Sequence, residues 1–125
     1  MKFIKLLASA AAMSLVAGTA SAATIYADSV ANFTPGAVNA GSFNRNYDPT
    51  DALGAPDYVP GSGYVSLGVG GTLTVEFTNY VFTGSGDAAD DLFVLEIGQL
   101  SEGTSVEVSA NGVDFFSVGS TGIGN

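Results

Sequence analysis

The chain of 125 residues contains no cysteine, no histidine and no tryptophan. Without cysteine there is no disulfide framework and no thiol chemistry. Zinc sites built on sulfur or imidazole are excluded. So are serine–histidine–aspartate and cysteine–histidine catalysis, which need an imidazole base. Positive charge is almost as scarce. Lys2, Lys5 and Arg45 face twelve carboxylates, giving a net charge of −9. Proline occurs only at positions 35, 49, 56 and 60. Beyond residue 22 the spacing of apolar residues nowhere follows a helical period.

What is present begins with MKFIKLLASAAAMSLVAGTASA. Lys2 and Lys5 form a short positive head. Leu6 to Val16 is apolar or small and uncharged, and Ala20-Ser21-Ala22 supplies the small residues a signal peptidase requires. The order predicts a signal-peptide helix over residues 1–22, with cleavage near Ala22–Ala23 and release outside the cytoplasm. The other reading is a transmembrane anchor, which needs about 20 mostly apolar residues. This stretch is shorter and is interrupted by Ser9, Ser14 and Gly18. No later segment is long and apolar enough to span a membrane, so no span is expected after cleavage.

Removal of residues 1–22 takes both lysines with it. The 103 residues left, one small domain, carry one arginine against twelve carboxylates, a net charge of −11. Such a chain is repelled by nucleic acid and by anionic membranes, and cations are its natural partners. The plainer reading is that acidity keeps an exported protein soluble.

Strand signals then recur about every ten residues. Thr24–Val30 reads as the first strand. Residues 31–63 form a long polar stretch holding all four prolines, and a loop of that length in a compact domain is functional or disordered. Tyr64–Leu67 reads as a short strand. Thr72–Phe77 alternates, with Leu73, Val75 and Phe77 on one side. Asp91–Ile97 is more continuously apolar, as suits a strand covered on both faces. Thr104–Ala110 alternates again, and Asn111-Gly112 is a strong hairpin signal leading into Val113–Val118. The glycine-rich end carries no apolar pattern. The pattern predicts an all-β fold, an antiparallel β-sandwich over residues 23–120 with a flexible tail at 121–125. Six strands leave open edges. The sandwich is therefore expected to be incomplete, lacking one or two closing strands. The alternative is an ordered six-stranded domain with a loose tail.

The segments DALGAPD (51–57), YVSLGVGGTLTVEF (64–77), DLFVLEIG (91–98) and VEVSANGVDFFSV (106–118), in this order, resemble a family. They are similar to bacterial cell-surface proteins of the PEP-CTERM type with a galactose-binding-like, discoidin-type jelly roll. The resemblance covers about residues 23–120. It implies a β-sandwich on the cell exterior, often a carbohydrate- or surface-binding module, and names no ligand. No sorting tail of the family's kind appears in the sequence, nor do the strands that follow the hairpin in such domains.

Asp48, Asp51 and Asp57, with Asn44 and Asn46 nearby, offer the oxygen ligands that calcium needs. In discoidin-type domains a calcium ion often braces the loop after the first strand, and this loop has that place. The spacing is not that of an EF-hand. The same residues equally suit Asx turns in a solvated loop. Asp87, Asp90 and Asp91 fit solvated charges at a strand start better than a metal site. Among the glutamates, Glu76, Glu96 and Glu107 sit on expected strands, and no pair is singled out for hydrolysis. The chain is read as no enzyme. Tyr47, Tyr58 and Tyr64 lie in or beside the long loop. Their rings suit stacking on sugars, with Asp and Asn reading hydroxyls, and equally suit packing over a sandwich edge. Asn32-Phe33-Thr34 matches a glycosylation sequon, which a bacterial family makes irrelevant. Two functions follow as expectations. One is a secreted or cell-surface non-catalytic binding or adhesion module whose partner is an extracellular glycan or surface polymer. The other is a structural component of the cell surface or extracellular matrix with no small ligand.

Overall fold

A computed structural model of the chain describes residues 3–5, 9–12, 23–37, 45–80, 84, 86–88, 90–97 and 103–121. The described residues form eight strands: β1 Phe3–Lys5, β2 Ser9–Ala12, β3 Ala23–Tyr26, β4 Ser29–Thr34, β5 Thr72–Glu76, β6 Leu92–Phe93, β7 Thr104–Ser109 and β8 Phe116–Thr121. The helical content among the described residues is one 3-10 turn, Pro49–Ala52. The strands form a five-stranded sheet in the order β4-β5-β1-β7-β8 and a three-stranded sheet in the order β3-β2-β6. Every pairing is antiparallel. The fold is all-β.

One core serves both sheets. Leu73, Val75 and Phe77 are fully buried, as their alternation along β5 predicts. They cluster with Ile25 of β3 and with Ala27 and Ala52 from the connections. Val30 and Phe33 of β4, Leu92 of β6 and Val108 of β7 pack against that cluster. The corner at Ala27–Asp28 explains how the chain reaches both sheets. Ala27 is buried, and Asp28 N donates to Glu76 O at 3.0 Å. The Asp28 carboxylate accepts from Thr78 N at 3.0 Å and from Thr78 Oγ1 at 2.8 Å. These bonds fix the entry of β4 against the end of β5. The single strand expected over Thr24–Val30 is therefore two strands, one in each sheet.

Other expectations are corrected. The long loop starts later than residue 31, because β4 continues to Thr34 against β5, with an irregularity between Val30 and Asn32. Tyr64–Leu67 joins neither sheet. Its backbone bonds run instead to other loop residues, such as Gly36 N to Leu67 O at 2.7 Å. Asp91–Ile97 is not a strand covered on both faces. Only Leu92–Phe93 pairs, at a sheet edge, and Phe93, Leu95 and Ile97 are exposed while Leu92 and Val94 pack on the core. Its apolar run is an alternation whose outer face is also apolar.

The hairpin after Asn111-Gly112 is wider than a two-residue turn. Asn111 Oδ1 accepts from Val113 N and Asp114 N, each at 2.9 Å, so a side-chain carbonyl organises residues 110–115. The partner strand is displaced to Phe116–Thr121, running on through Gly119 and Ser120 and taking in Thr121 from the expected tail. Val118 is the extra residue where the register shifts opposite Val106 and Glu107.

The helix expected over residues 1–22 is also corrected. Its described parts are strands. β1 lies between β5 and β7, and β2 lies between β3 and β6. A short apolar run does not by itself distinguish helix from strand. As a helix the segment would bond within itself and leave the facing edges of β5, β7, β3 and β6 unpaired, whereas as strands it pairs with all four.

Candidate functional site in the 45–67 loop

The loop is anchored from inside. Ala52 is buried in the core and Gly54 N donates to Ala27 O at 3.0 Å. Its two limbs are joined by Asn46 and Ser66. Ser66 N donates to Asn46 O at 2.7 Å, and Asn46 N donates to Ser66 Oγ at 3.2 Å. Tyr47 follows the first anchor, and Tyr64 precedes the second by two positions.

Between them lies a small hairpin. Ser62 N donates to Val59 O at 3.0 Å and Val59 N to Ser62 O at 3.2 Å. Pro60 and Gly61 occupy the corner, and Gly61 has φ of 100°. Proline followed by a positive-φ glycine is the chemistry of a type II turn. Gly63, with φ of 71°, then passes close to Asp57: a Cβ built there would lie 2.7 Å from Asp57 O. That approach brings the neighbouring rings together. Tyr58 and Tyr64 meet edge to face, with centroids 5.9 Å apart and planes at 61°. Tyr58 is 49% exposed and Tyr47 39%, while Tyr64 is half-buried. The pair thus has one ring supported by the loop and one turned to water. Tyr47 belongs to the same stitched loop, and the ring contact itself is between Tyr58 and Tyr64.

The three aspartates are distributed differently. Asp48 caps the 3-10 turn: its Oδ1 accepts from Thr50 N at 2.9 Å and from Thr50 Oγ1 at 2.6 Å. The Thr50 bonds, the side-chain one foremost, hold the Asp48 carboxyl below its ordinary value of 3.8, and slight desolvation opposes them. Asp51 Oδ2 accepts from the Asn46 side-chain amide. Asp57 stands at the base of the small hairpin, against Gly63. Asp48 and Asp51 thus bond within the loop, as Asx-turn chemistry allows. Among the described residues no group of three or more carboxylates is placed to hold a metal ion. Farther along, Asp87 and Asp90 are exposed and Asp91 is half-buried just before β6.

A separate surface hollow lies at the β7–β8 loop, lined by Ala110, Asn111, Val113, Asp114, Phe115 and Phe116. It presents apolar atoms and a turn whose polar groups bond one another. The Tyr58–Tyr64 pairing was open to a reading of sequence, since Pro60-Gly61 marks the turn that joins the two rings. The Asn46–Ser66 stitch carries no such local mark, because its partners are 20 residues apart. No protein-family model, no curated protein and no solved structure matches the chain.

Proposed function

We propose that the chain is an exported, non-catalytic binding module of the cell exterior that takes a glycan or surface polymer on its tyrosine loop. The single observation that carries this reading is the Tyr58–Tyr64 pair, half-supported and half-exposed on a loop stitched by Asn46 and Ser66. A rigid aromatic face beside carboxylates and amides suits a sugar, whose ring faces are apolar and whose rim is hydroxyl. Two antiparallel sheets around one core support a jelly-roll, galactose-binding-like assignment, as does the similarity to PEP-CTERM-type surface proteins. The charged head, apolar stretch and small-residue end of residues 1–22 support export. The lack of histidine and cysteine supports a non-catalytic role.

A second reading has its own observation. Phe93 on β6 and Phe116 and Val118 on β8 are exposed on edge strands, and Leu95 and Ile97 are exposed in the segment that follows β6. Apolar edges favour self-association, which suits a structural component of the surface or matrix. A glycan array with the full chain separates the two. Dose-dependent binding, weakened about tenfold or more by Tyr58→Ala with the fold intact, is the expected result. No binding to any glycan, together with concentration-dependent assembly, overturns the first reading in favour of the second.

A further inference from the structure

The six strands of residues 23–121 do not close either sheet by themselves. In the five-stranded sheet, β4–β5 and β7–β8 are joined only through β1. In the three-stranded sheet, β3 and β6 are joined only through β2. The interruption falls at the centre of the molecule, because β5 carries the fully buried Leu73 and Val75. An unfilled gap there would leave main-chain donors and acceptors of β5 and β7 without partners beside the core, which is costly.

We propose that residues 23–121 form a strand-accepting groove, filled in the full chain by residues 3–5 and 9–12. Once the N-terminal segment is removed, the groove takes an extended basic and apolar strand from a partner protein. The second clause rests on the export reading above; the first does not. The mode is β-augmentation, in which main-chain bonds give affinity and alternate side chains give specificity.

The register states what the strand must carry. Position 4 lies opposite Val75 on one side and Val108 on the other. Residues directly opposite share a sheet face. Val75 is fully buried and Val108 packs on the core, so this position requires an apolar residue. Positions 3 and 5 share the other face. Position 3 lies opposite Glu76 and Ser109, and position 5 opposite Thr74 and Glu107. Glu107 opposite position 5, on a domain of net charge −11, selects a cation there, whereas position 3, opposite Glu76 and Ser109, is occupied by Phe3. The native occupant has Ile4 and Lys5 at the required places. In the other sheet, position 10 lies opposite Ile25 and Leu92, both at the core, and is filled by alanine. A second copy of residues 23–125 fits poorly, since its one basic residue is Arg45. Charge therefore points to a foreign, basic strand.

The test starts from the full chain with a protease site inserted between Gly18 and Thr19, cut after folding. The N-terminal fragment should co-elute with the rest of the chain, and a labelled peptide of residues 1–12 should displace it saturably. Ile4→Asp in the peptide should abolish displacement. Lys5→Glu should weaken it about fivefold, and Glu107→Lys in the chain should restore it, as reversal of a cross-strand pair requires. Release of the fragment from a chain that stays monomeric, with amide protection in β5 and β7 unchanged, overturns the proposal. Self-association that the peptide cannot reverse, or indifference to both charge reversals, overturns it as well. Sequencing the N-terminus of the exported chain tests the export reading separately.

Discussion

One oxygen atom sets the start of the 3-10 turn at residues 49–52. Asp48 Oδ1 accepts two bonds from Thr50, while Pro49 fixes the first helical position and needs no donor of its own. Because both bonds favour the ionised carboxylate, the Asp48 pKa is lowered from 3.8. A group whose folded pKa is depressed contributes stability above its unfolded pKa and loses it as pH falls through the folded one. The contribution of Asp48 is therefore complete above about pH 5 and declines below 3.8. Asp48→Asn keeps an acceptor but does not titrate. Melting temperatures of the two proteins, measured from pH 7 to pH 2, should differ by a constant amount at the upper end. The difference should shift against the wild type below pH 3.8. Parallel curves throughout would show that the cap is not coupled to ionisation. Asn111 acts by the same local logic in the β7–β8 loop, where its carbonyl replaces a backbone turn.

Among the elements, β5 is the one whose loss the molecule is least able to absorb. It pairs on both sides, and Leu73 and Val75 have no exposed surface. Leu73→Ala should lower unfolding stability by about 2–5 kcal/mol, from lost burial and a cavity. Leu95→Ala, at a position 48% exposed beside the short β6, should change it by about 0.5 kcal/mol or less. Denaturant titration of both variants tests the ranking, and equal effects would contradict the placement of the core. The two segments also show what was legible in the sequence. Thr72–Phe77 alternates strictly between apolar and polar, so its buried face could be read directly. Leu92–Ile97 alternates too, but Phe93 and Leu95 on its outer face disguise the period as a continuous run. The corner at Asp28 was hidden for a different reason. It depends on Thr78, 50 residues away, and on Glu76 across the sheet, so no local pattern announces it. The roles of Phe3–Lys5 and Ser9–Ala12 were hidden by composition, since a small apolar run is compatible with signal, helix or strand. The loop itself was legible as a place, through its prolines and tyrosines. The pairing of Tyr58 with Tyr64 required the turn between them.

At the scale of the whole molecule, charge opposes compaction. Twelve carboxylates against three cations repel one another wherever no local bond intervenes. Screening should therefore stabilise the fold. Raising sodium chloride from about 10 mM to 150 mM shortens the Debye length from about 30 Å to about 8 Å. The melting temperature should rise over that range. Divalent cations add a sharper question, because the sequence pointed to calcium at Asp48, Asp51 and Asp57. Calcium takes six to eight oxygens, whereas Asp48 and Asp51 are bonded to Thr50 and Asn46. General screening does not distinguish calcium from magnesium, but a built site does, since the two ions differ in ligand number and distance. At equal millimolar concentration and constant ionic strength, the two ions should give the same melting temperature within error. A rise specific to calcium, lost in Asp51→Asn, would mean that the loop rearranges around the ion. A cation bound to the folded state alone must add stability. Equal curves would leave the acidic loop as a set of internally bonded turns whose task is to hold Tyr58 and Tyr64 in place.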